Sequence, residues 1–153
     1  MAIPDLRPCE VLLVPTEDVL LRNVHPSFID GELLSSQAFG PNTGDEGQLS
    51  VAQAAIVQSL HAYMDYTVTR GLKSVGVWAV STLEVDGLGA RSVDDRACDA
   101  SLPEGHAYVD FRDLTSKRAE KRRATALRDA AQLRGCQFSP LRCTVSLPRP
   151  QSA

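Results

Sequence analysis

Four side chains capable of chemistry fall within one short stretch, LLRNVHPSFIDGELLSSQAF (residues 20–39): Arg22, His25, Ser35 and Ser36. A guanidinium at the end of an apolar run can offer its planar fork to a phosphate or carboxylate, where a purely structural sequence would more often place Val or Ile. Its plain alternative is an arginine with its head in water. His25, held extended by Pro26, can act as acid, base or donor near neutral pH, or can simply hydrogen-bond a turn. Ser35 and Ser36 are adjacent in a run that reads as a strand, so one faces inward and requires a partner, either main chain or ligand. Phe39 packs in the core or stacks on a flat ligand ring.

The elements that must position these groups come from hydrophobic periodicity and turn chemistry. Residues 10–14 and 18–24 read as strands separated by Pro15, Asp30-Gly31 marks a tight turn, and residues 33–39 (LLSSQAF) fit a third strand. Residues 40–48, GPNTGDEGQ, form a loop. LSV at 49–51 fits either a strand or a helix start with Ser50 as cap. The spacing of apolar groups predicts a helix over 52–70 ending at Gly71, and the β-branched run 73–85 predicts a central strand covered on both faces. A mobile loop is expected after Gly87, then a strand over 106–111 and a second helix over 115–134 stopped by Gly135. That helix carries seven Lys or Arg against Glu120 and Asp129, a balance of +5, and an inner stripe of Ala119, Ala126, Leu127 and Ala130 is expected. CTVSL, residues 143–147, can add an edge strand. Grouped strands with two main helices predict a single α+β domain over 1–147, with a mostly antiparallel or mixed sheet and a loose tail at 148–153.

Composition limits the classes of function. A chain of 153 residues, 43% hydrophobic and 23% charged, suits one ordinary domain. A net charge of −3 and a pI near 5.6 exclude an all-over basic nucleic-acid binder, so any polyanion contact is local. The opening apolar run is too short for a signal peptide, and no stretch approaches the roughly 18 apolar residues that cross a bilayer. A cytoplasmic protein without a membrane partner is therefore expected. Cys9, Cys98, Cys136 and Cys143 form no C-x-x-C pair, which predicts reduced, partly buried thiols and no metal site.

The arrangement of Arg22 on a strand, Ser35-Ser36 on the next, then a loop, a helix and later strands resembles the ADP-ribosyltransferase fold. It is most similar to the RES-domain NAD-consuming toxins and the DNA-modifying ADP-ribosyltransferase toxins of bacteria. The resemblance covers roughly residues 18–85. It implies a transferase, acting as a toxin or effector, that takes NAD as substrate. Arg22 would hold a phosphate, Ser35 or Ser36 would orient the nicotinamide ribose, and Phe39 would stack on a base or the nicotinamide. Glu84 or Glu46 would stabilise the cationic sugar, with His25 beside them. The pattern VHP…SSQAF…P…DEG.LSV also resembles small uncharacterised bacterial proteins, a likeness that brings no function with it.

Two readings of other classes start from the same residues. His25 and His106 with the basic helix could form a metal-independent ribonuclease, one imidazole as base and the other as acid. Alternatively the Lys117–Arg134 helix engages an acidic protein or a nucleic-acid backbone in a non-catalytic, salt-sensitive binding module.

Overall fold

The computed structural model describes residues 3–141. The expected strand at 143–147 and the tail lie outside them. The fold is α+β, built on a six-stranded antiparallel sheet whose strands are β1 (Val11–Leu12), β2 (Val19–Val24), β5 (Gln48–Gln53), β6 (Gly76–Ser81), β7 (Ser92–Asp94) and β8 (His106–Asp110). Their spatial order is β1-β7-β8-β5-β2-β6. A small hairpin of β3 (Ile29–Asp30) and β4 (Leu33–Leu34) stands apart, turned at Gly31.

One face of the sheet is covered by the long helix α3 (Lys117–Arg134) and a 3-10 turn at Ser36–Phe39. Leu20, Val24, Phe39, Leu49, Val51, Val109, Phe111 and Leu127 form the main core between them. α3 starts where Ser116 Oγ accepts from Ala119 N at 3.1 Å and stops at Gly135, whose φ of 96° suits glycine. Its buried stripe is Ala124, Leu127 and Ala131, rotated from the expected one because Arg123 also turns inward, donating to the Asp110 carbonyl and to Asp113.

Several expected elements differ. The strand over 33–39 survives only as β4, because Ser35 Oγ accepts from Gln37 N and winds the following residues into the 3-10 turn. The helix over 52–70 starts later: 48–53 alternate inward Leu49, Val51 and Gln53 with outward Ser50, a period of two that belongs to a strand. Helix α1 (Ser59–Met64) follows and widens into a π-turn at Asp65–Thr69. The strand over 73–85 ends at Ser81, where Ser81 Oγ accepts from Glu84 N and Glu84 Oε1 accepts from Ser81 N, a reciprocal cap that opens helix α2 (Thr82–Gly87). β6 is covered on both faces as expected, yet among the described strands it is the last of the sheet. Its outer edge is closed by the Val77–Phe138 bridge and by Arg134, which donates to the Ala79 carbonyl. The expected mobile loop holds β7 and is fastened by a Cys9–Cys98 disulfide, and no described cysteine is a free thiol. The expectation of reduced thiols is corrected accordingly. The pairing joins residues 89 apart in sequence, which spacing alone does not reveal.

The other face of the sheet carries a polar network under the N-terminal segment. Asp110, with no side-chain exposure, accepts from Arg91 Nε at 3.0 Å and from Arg112 Nε at 2.8 Å. Tyr108 Oη donates to Glu10 Oε2 at 2.9 Å and accepts from Arg112. Burial alone would raise the Asp110 pKa, but the donors of Arg112 and Arg91 hold it below the ordinary carboxylate value. Stability from such a group is complete above its unfolded pKa, near 3.8, and is lost as pH falls through the lower folded value. Asp110→Asn leaves two guanidinium groups short of their carboxylate and should cost about 3–5 kcal/mol in urea unfolding at neutral pH. The variant should also lose part of the acid-dependent slope below pH ~4 that the native chain shows.

Candidate functional site

Arg22 does not share a cavity with Ser35 and Ser36. Arg22 sits where β2 and β5, paired at Leu20–Gln53 and Leu21–Ala52, stop pairing. Its Nε donates to the Ala38 carbonyl and its Nη1 to the Ser50 carbonyl, both at 2.9 Å. Loss of hydration lowers the Arg22 pKa from its ordinary value, with Tyr66 and Asp45 acting in the opposite sense. Ser35 and Ser36 line a different, open cleft beside Lys117 and Lys121. Phe39 is fully buried in the core.

The remaining candidates have local partners. His25 Nδ1 accepts from Ser27 N at 3.0 Å and caps the 3-10 turn Pro26–Phe28. Glu84, besides capping α2, accepts from Arg134 Nη1 at 2.7 Å and Nη2 at 3.1 Å. Burial acts to raise its pKa, and the Arg134 and Ser81 hydrogen bonds outweigh this and hold it low. Glu46 is exposed in a left-handed conformation at φ 53° after the loop's 3-10 turn. The basic helix is partly spent on structure: Arg123 pairs with Asp113, Arg128 donates to the Leu34 carbonyl and Arg134 holds Glu84. Lys117, Arg118, Lys121 and Arg122 remain exposed.

A cleft lined in part by Arg22 and His106 lies between the sheet and α1. It has a volume of about 260 Å³ and a largely apolar wall of Leu21, Val51, Ala52, Val57, Ala62 and Leu72. Its polar groups include Ser50, Tyr66 and His106, with Asp65, Arg70, His61 and Glu104 around them. Arg70 is paired with Asp65 at 3.1 Å, and His61 Nε2 lies 3.5 Å from Glu104 Oε1.

His106 is held differently. Its Nδ1 stands 2.7 Å from Asp95 Oδ1, and each side chain is only 11% exposed. The carboxylate can only accept, so Nδ1 carries the proton and Nε2 of the neutral ring keeps its lone pair. Asp95 belongs to the turn that follows β7, the strand on one side of β8. On the other side β5 sets Ala52 opposite His106 and Ser50 opposite Tyr108. Because side chains alternate, Ser50, Ala52 and His106 share this face. Asn23 also borders the cleft: its Nδ2 donates to the Ala62 carbonyl at 3.3 Å, while its buried Oδ1 has no hydrogen-bond partner.

His25, the histidine expected to work beside His106, is therefore replaced in this cleft by His61. The sequence signal for the dyad was slight, since Asp95 and His106 are separated by turns and meet only through strand pairing. Among the described residues, no group of three or more His, Cys, Asp or Glu is placed to hold a metal ion, and no helix is long and apolar enough to cross a membrane. No family model, curated protein or solved structure matches the chain.

The fixed tautomer is directly measurable. Long-range ¹H–¹⁵N spectra at alkaline pH should show the neutral His106 ring protonated at Nδ1, and Asp95→Ala should shift the population towards the Nε2-protonated form. A ring already protonated at Nε2 in the native chain would remove the dyad.

Proposed function

We propose that the protein hydrolyses small, weakly polar esters in the cleft between β5 and α1, with His106 as the proton-transfer group and Asp95 as its positioning residue. The observation that carries this reading is the 2.7 Å His106–Asp95 hydrogen bond at the wall of an apolar cleft. An imidazole of fixed tautomer takes a proton from an attacking O–H and returns it to the departing alkoxide. An uncharged ester needs no clamp of cations: Arg70 is paired with Asp65, and Arg22 gives donors to the Ala38 and Ser50 carbonyls. The volume of about 260 Å³ lies just below the roughly 300–1,000 Å³ of drug-sized ligand pockets, which suits a small acyl compound.

The same facts weigh against the other readings. An RNA backbone would meet a cleft without net positive charge. A dinucleotide such as NAD would need Arg22, Ser35 and Ser36 in one site, whereas the arginine's donors go to carbonyls and the serines open elsewhere. The Cys9–Cys98 disulfide fits an oxidising compartment better than the cytoplasm.

Hydrolysis of p-nitrophenyl acetate and butyrate tests the proposal. His106→Gln should lower kcat/KM by about 10²–10⁴-fold with the thermal unfolding midpoint little changed. Asp95→Asn should cause a smaller loss. No turnover of either ester by the native chain overturns the reading.

A further inference from the structure

We infer that Ser50 is the nucleophile of this site, so that the ester is cleaved through an acyl-enzyme. The inference rests on the hydrolase reading and deepens it, since His106 could otherwise activate water directly. Three observations carry it. Ser50 is exposed at the cleft on the same face of the sheet as His106, two residue pairs along the β5–β8 ladder, a diagonal separation of about 7 Å that an imidazole can span. Asp95 approaches His106 from the β7 side and Ser50 lies on the β5 side, so the ring stands between them with Nδ1 committed to the carboxylate. Among the described residues, neither Ser50 Oγ nor His106 Nε2 has another hydrogen-bond partner.

Serine, histidine and aspartate in these roles define a reaction whose atoms balance. Ser50 Oγ attacks the ester carbonyl carbon and its proton passes to His106 Nε2, leaving a tetrahedral oxyanion. The bond from carbon to the alkoxy oxygen then breaks, and the imidazolium returns the proton to the departing alcohol. Water attacks the acyl-serine, His106 takes the water's proton, and collapse releases the carboxylic acid as Ser50 recovers its hydrogen. Arg22, at the edge of the cleft, donates to the Ser50 carbonyl at 2.9 Å and so fixes the main chain of the nucleophile.

A fluorophosphonate probe reads the nucleophile directly, because the same attack displaces fluoride and leaves the phosphonyl group on the protein. Intact-mass and peptide mapping of the native chain should show one adduct, on Ser50. Ser50→Ala should abolish the adduct and lower kcat/KM for p-nitrophenyl butyrate at least 100-fold, with an unchanged unfolding midpoint. His106→Gln should slow labelling by a similar factor. Ester turnover that depends on His106 but survives Ser50→Ala, with no adduct at Ser50, overturns the covalent route and leaves water as the nucleophile. An adduct mapped only to another residue also overturns it. Failure of the native chain to hydrolyse any ester is the separate result that removes the hydrolase reading itself.

Discussion

A single guanidinium governs the geometry around the cleft. Arg22 lies where the β2–β5 ladder ends, and it supplies donors to two carbonyls, those of Ala38 and Ser50, on two otherwise separate segments. Carbonyls removed from water without a partner each cost about 1–3 kcal/mol, so the sheet can open here only because a side chain replaces main-chain donors. The opening exposes Ser50 and lets α1 seat Ala62 against Leu21, Val77 and Ala79. The cleft is thus a consequence of where pairing stops, and Arg22 makes that stop tolerable.

The two faces of the sheet solve burial in different ways. The face under α3 is packed with aliphatic and aromatic groups, for which close packing and loss of apolar surface suffice. The opposite face around β7 and β8 is polar and fully engaged: Asp110 with two arginines, and Tyr108 with Glu10. Such a network contributes less net stability than an apolar core of equal volume, but it admits few alternative arrangements, because each misplaced member leaves a buried charge unmatched. His106 extends this row, and its aspartate partner gives it the same fixed setting.

The sequence was most informative where local chemistry decides structure. β2, β8 and α3 follow from apolar periodicity, and Ser116 and Gly135 bound the long helix by capping, so the α+β class was legible. The Ser81-x-x-Glu84 box was also present to be read, but the β-branched residues before it masked the change from strand to helix. Residues 52–58 misled because alanines serve either element, and only the pairing of β5 with β8 assigns them to a strand and turn. Arg22 was marked as unusual, yet its role depends on Ala38 and Ser50, which nothing nearby in sequence specifies. The His106–Asp95 and Cys9–Cys98 pairs were illegible for the same reason: each is made by neighbouring strands whose order the sequence does not state.

The link between Cys9 and Cys98 encloses β2, β5 and β6 together with α1 in one covalent ring. A protease that severs one peptide bond inside this ring would release no fragment. The nicked chain would migrate as a single species until a thiol reductant parted it.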